Sequence, residues 1–144
     1  MKDPAIRKLY PEAVTIFNDD YVIDKDGKEV VLDSVLIAQE VERLTAEKVN
    51  SSITNKATEI IESKYTPLKQ RKLLAMLGEL QQKKIDFLDG ATTTNLTTAE
   101  TELVVSIRAV NAWVGTIRTI ENEAIANGIP LADINWGEDH VVIM

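Results

Sequence analysis

Apolar residues recur along this chain in several rhythms, and the elements follow from where the rhythm changes. Asp3-Pro4 can open a short helix that runs through Leu9 and is ended by Pro11. The next segment is strand-like: Ala13-Val14-Thr15-Ile16-Phe17 is rich in β-formers, and Tyr21-Val22-Ile23 and Val30-Val31-Leu32 flank Asp24-Lys25-Asp26-Gly27. A two-residue Asp26-Gly27 loop would set Lys25 opposite Lys28 and Asp24 opposite Glu29, both repulsive. A three-residue loop with Gly27 left-handed pairs Asp24 with Lys28 and Val22 with Val30, and is the preferred hairpin.

From Asp33 the period becomes helical, with Ile37, Val41 and Leu44 on one face. Val49, Ile53, Ala57 and Ile60 continue at helical spacing on nearly the opposite face, with Asn50-Ser51-Ser52 at the changeover. Either the helix breaks there, or one long helix serves two different neighbours with its two halves.

Two further helices are written with start and stop signals. Thr66-Pro67 opens the first, with Thr66 as cap and Pro67 at the first helical position. Its stripe is Leu73, Met76, Leu77, Leu80, Phe87 and Leu88, and Lys84 within it must snorkel or pair. After the polar turn 89–95, Thr97 and Glu100 form a capping box, and Asn127-Gly128-Ile129-Pro130 closes the last helix. Leu103, Ile107, Val110, Val114 and Ile117 make a heptad seam on it. An antiparallel hairpin with the Pro67 helix explains that seam, and so does a coiled coil between chains. Trp113 and Ile120 broaden the stripe, and Trp113 reads as core.

The segment after Pro130 reads as an extended tail with apolar anchors. An exposed terminal apolar run would be an aggregation hazard, so Val141, Val142 and Ile143 are expected to dock as an added strand or in a groove. Trp136, outside the helices, is the better interface tryptophan. The expected class is therefore mainly α: an N-terminal β-hairpin module (1–33), a long connecting helix, broken or continuous (34–64), a helical hairpin (65–128) and an extended docking tail (129–144).

Composition narrows the function classes. At 144 residues the chain fits one domain, and with 44% apolar but 5% aromatic residues its core must be aliphatic. A net charge of −7 argues against a nucleic-acid partner. Charge is also divided along the chain: six basic residues between Lys64 and Lys84, Lys69, Arg71 and Lys72 among them, face one acid, Glu79. From Glu121 onward five acids stand without Lys or Arg. The basic helix is thus either a solvated face or a surface that meets an acidic one, in this tail or in another subunit. No cysteine is present for a disulfide or thiolate site, no secretion signal is visible, and no stretch is expected to reach the length of a membrane span.

Candidate chemistry is sparse. His140 is the single histidine, with no partners at catalytic or metal-ligand spacing. Asp24-Lys25-Asp26-Gly27 looks like the middle of a calcium loop, but Val22 and Asp33 stand where the first ligand and closing Glu belong. Glu40 and Glu42, like Glu100 and Glu102, are two apart on helices and so point away from one another. No catalytic, cofactor-binding or metal-ligating residue is assigned, and no cofactor is expected.

One resemblance covers most of the chain. Lys64-Tyr65 with Leu68-Lys69-Gln70-Arg71-Lys72-Leu73-Leu74, then Ala112-Trp113-Val114 with Ile117-Arg118 and Asn122, resembles small proteins of tailed bacteriophages encoded among tail and tail-fibre components. Ile6-Arg7-Lys8-Leu9-Tyr10-Pro11 before a hairpin at Asp26-Gly27 is similar to the start of such proteins. The resemblance implies a non-enzymatic structural or adaptor component at the fibre or baseplate, made in the host cytoplasm and retained in the virion, or alternatively a transient fibre-assembly chaperone. It implies other tail proteins, or a second copy of the chain, as partners, without nucleic acid or membrane. The interface would use Trp136, Val141 to Ile143 and the Lys69, Arg71 and Lys72 cluster, with the Leu103 to Ile117 seam holding a further contact.

Overall fold

The computed structural model describes residues 2–137. It is mainly helical, with helices α1 (Lys2–Leu9), α2 (Ser34–Lys64), α3 (Pro67–Leu88) and α4 (Thr98–Ala126), and strands β1 (Thr15–Phe17) and β2 (Tyr21–Ile23). The backbone divides into two compact units, Met1–Ser51 and Ser52–Met144, so the division falls inside α2.

In the first unit β1 and β2 pair antiparallel, with Ile16 opposite Val22. The turn between them places Asn18 and Asp19 at φ 51 and 62, the left-handed region that these two residue types tolerate better than most. No glycine marks this turn, so the sequence alone gives 13–17 no partner. The other edge of β2 carries the expected register: the Asp24 N–H donates to the Lys28 carbonyl at 2.9 Å, the Val30 N–H to the Val22 carbonyl at 2.8 Å, and Ile23 bridges Glu29. Gly27 is left-handed at φ 75, and the Asp24 carboxylate accepts from the N–H groups of Asp26 and Lys28. Residues 30–32 do not extend this contact into a strand.

This unit closes over Ala5, Ile6, Ala13, Val22 and Ile37, with Val41 and Leu44 packed against them. Asp33 caps α2 by accepting from the N–H groups of Val35 and Leu36, and its own N–H donates to the Tyr10 hydroxyl at 2.8 Å. Lys8 and Arg43 meet on Glu40, at 3.0 and 2.6 Å, and Arg43 also pairs with Glu47. The Arg43 hydrogen bonds, then that of Lys8, hold the Glu40 carboxyl at about 2, well below its ordinary 4.5.

The helix α2 is continuous through Asn50-Ser51-Ser52, so the second of the two alternatives is the observed one. Ile37, Val41 and Leu44 serve the first core, whereas Ala57, Ile60 and Ile61 serve the second. Ile53 is buried with the second half, but Val49, next to the changeover, is largely exposed.

In the second unit Ala57, Ile61, Tyr65, Leu73, Ile107, Val110, Trp113 and Ile117 form the core. Tyr65 meets Trp113 edge-on, with ring centroids 5.8 Å apart. Glu121, on α4, is buried in the same unit. Burial alone would raise its pKa, but hydrogen bonds from Arg118, 2.7 Å away, and from Thr54 hold it below the ordinary value. Arg118 also reaches the Thr58 hydroxyl at 3.2 Å, so this pair ties α4 to α2.

The helix α4 corrects one expectation. By length and composition it is apolar enough to cross a membrane, with a mean hydropathy of 1.2 over its most apolar window, 22% of which is buried here. Arg108 and Arg118 interrupt it, so the uncharged run between them is short. Ile107, Val110, Trp113, Ile117, Glu121 and Ala124 on this helix are nevertheless buried within the unit, the pattern of a core-facing stripe.

Candidate protein-protein interface

The helices α3 and α4 are bounded by local chemistry at their ends and run antiparallel across the turn between them. The Thr66 hydroxyl accepts from the Lys69 N–H and starts α3, with Pro67 in its first turn. At its far end Gly90 is left-handed, and the N–H groups of Ala91 and Gly90 donate to the carbonyls of Asp86 and Phe87. The Thr97 and Glu100 capping box then starts α4. Glu100 also receives the Lys83 ammonium on both oxygens at 2.8 Å, which ties the two helices in register. That hydrogen bond, followed by the one from the Thr97 N–H, lowers the Glu100 pKa. Lys84, inside the apolar stripe, is accommodated by Asn95 Oδ1 at 3.2 Å and by the Phe87 ring, 5.6 Å away.

With this register the heptad seam closes inside the chain. Ile107, Val110 and Ile117 are buried, and Leu103 and Val114 pack against the same core. The helix α3 is different: Leu73 is its buried residue, whereas Leu68, Leu74, Ile85 and Leu88 stay exposed, Leu88 to 68%. Met76 and Leu88, expected on the buried stripe, are exposed as well. The helical hairpin thus covers one face of α3 and leaves a second apolar face open.

Two grooves lie between these helices. Near the turn, Leu80, Ile85, Leu96 and Val104 line a concavity of about 320 Å³ with Lys84 and Arg108 at its edge. Farther along, Leu73, Leu74, Val110 and Val114 line one of about 160 Å³, with Gln70 and Asn111. Among the described residues, no acidic side chain lines either groove.

The residues singled out from sequence fall in several places. Trp136 packs against the core of its own unit and is partly buried, because the chain after Pro130 makes one 3₁₀ turn at Leu131–Asp133 before it extends. It is an anchor within the chain as described. Val141, Val142 and Ile143 lie outside the described residues. The Lys69 ammonium lies 5.3 Å from the Tyr65 ring centroid, while Arg71 and Lys72 are exposed on the first turns of α3.

Sequence reasoning missed Leu74, Ile85, Val104 and Arg108. For Leu74 and Ile85 the signal was available as a second stripe, since Leu74, Gln81, Ile85 and Leu88 also repeat at spacings of seven, four and three. Comparison of the chain with protein-family models, with curated proteins and with solved structures returns no match.

Proposed function

We propose that this chain is a non-enzymatic structural or adaptor component of a bacteriophage tail, in the fibre or baseplate region, acting through protein-protein interfaces. The observation that carries the interface role is the open apolar face of α3, where Leu74, Ile85 and Leu88 remain exposed although α4 and α2 have closed the core beside them. Among the described residues, the side chains lining the two grooves are Leu, Ile, Val, Gln, Asn, Lys and Arg, a set that recognises a partner by shape and charge. The tail setting rests on the resemblance of Lys64 to Leu74 and Ala112 to Asn122 to small phage tail proteins.

Mass spectrometry of gradient-purified particles from the phage encoding this chain tests the reading. A fixed copy number per particle is the expected result. Absence from particles, with capture on fibre protein during assembly, would replace it with the chaperone reading.

A further inference from the structure

The two grooves share one face of the hairpin. At about 100° per residue, Leu74, Gln81 and Ile85 lie within about 40° of one another around α3, and Val104, Arg108 and Asn111 within about 60° around α4. Their midpoints along α3 are about ten residues apart, roughly 15 Å at the helical rise. An α-helix returns to the same face after eleven residues, about 16 Å on, so two apolar side chains at i and i+11 match both concavities.

Among the described residues, the charged side chains that line the grooves, Lys84 and Arg108, are both cationic. Arg108 lines the groove nearer the turn, and Arg71 is exposed on α3 three residues before Leu74, which lines the other. Neither makes an ion pair among the described residues. Lys84 meets a neutral amide oxygen and an aromatic ring rather than a carboxylate. The Glu100 carboxylate is engaged by Lys83. This local excess of positive charge belongs to a chain of net charge −7, so it is a feature of this face and not of the whole surface.

We propose that this face seats an amphipathic α-helix of a partner protein, with apolar residues at i, i+4, i+7 and i+11 flanked by Asp and Glu. The proposal deepens the adaptor reading and rests on it, naming the chemistry of the partner. Charge alone would also suit an anionic bilayer. A flat headgroup surface leaves two concavities empty, however, whereas a helix laid along the hairpin fills both with anchors and places its acidic flanks on Arg71, Lys84 and Arg108.

The test is selection of a surface-displayed library of helical peptides, with the four apolar positions fixed and the flanks randomised, against the full chain. Clones that also bind Ile85→Asp are removed. The expected result is enrichment of Asp and Glu at the flanks, with affinity falling about tenfold or more against Arg71→Glu/Arg108→Glu. Selection on that variant should favour Lys and Arg flanks instead. All three substitutions are at exposed positions, and helicity with an unchanged tryptophan unfolding transition confirms that each variant is folded. No enrichment, or enrichment indifferent to charge, overturns the proposal. So does binding to vesicles of equimolar phosphatidylserine and phosphatidylcholine that the same variants abolish. Presence in particles unaffected by these variants would refute this seat and keep the adaptor reading. Acidic-helix binding by a chain absent from particles would keep the seat and refute the virion setting.

Discussion

Replacing Ile107 by alanine tests whether the helical seam is the core of one chain. Ile107 is 0% exposed and sits in the cluster with Ala57 and Ile61 of α2 and Leu73 of α3. Removing three carbons at about 0.8 kcal/mol each takes away about 2 kcal/mol of transfer free energy. Any cavity left unfilled adds about 24 cal/mol per Å³, so a loss of about 3 kcal/mol is expected, within the range of roughly 2–5 seen for such truncations. That is a large fraction of the stability of an ordinary domain. Trp113 belongs to this core and Trp136 packs against it, so urea unfolding followed by tryptophan fluorescence reads this unit. Val105→Ala, at a position 63% exposed on the same helix, is the control and should change stability by no more than about 0.5 kcal/mol. The midpoint should not depend on protein concentration. An Ile107→Ala loss no larger than that of the control would refute the packing, and a midpoint that rises with concentration would place the seam between chains.

Three other outcomes are expected. Because Glu40 has a folded pKa of about 2 against an ordinary 4.5, its contribution to the first unit is fully present above about pH 5 and is lost as pH falls toward 2. Carboxyl ¹³C titration should show the Glu40 midpoint moving up toward its ordinary value in Arg43→Gln, and less so in Lys8→Gln; an unmoved midpoint would sink the assignment. Glu121 is also depressed, so tryptophan-monitored stability should decline as pH drops through the carboxylate range, and Glu121→Gln should flatten that acid limb. Thr97→Ala removes the cap of α4 and should cost about 1 kcal/mol in urea unfolding, with Thr97→Ser retaining most of it.

Local chemistry determined much of this protein directly from its sequence. Thr66 and Pro67, Thr97 and Glu100, and Gly128 with Ile129 set helix ends because each acts on backbone groups a few residues away. The Ile129 N–H duly reaches the Ala124 carbonyl at 2.9 Å across a left-handed Gly128. The Asp24 to Lys28 turn was legible for the same reason, since charge pairing and one glycine excluded the competing register. The Leu103 to Ile117 stripe was legible as a seam, but its partner was not. Periodicity says which face of a helix is apolar, and only tertiary packing says what covers it. Packing made α2 continuous across Asn50-Ser51-Ser52 while giving its first half to one core and its second half to another, and paired Thr15–Phe17 with Tyr21–Ile23 across a turn without glycine. It also drew Trp136 onto its own core and left Leu74, Ile85 and Leu88 uncovered. A two-helix seam with a third helix behind it has room for one stripe of α3, and the second stripe stays outside.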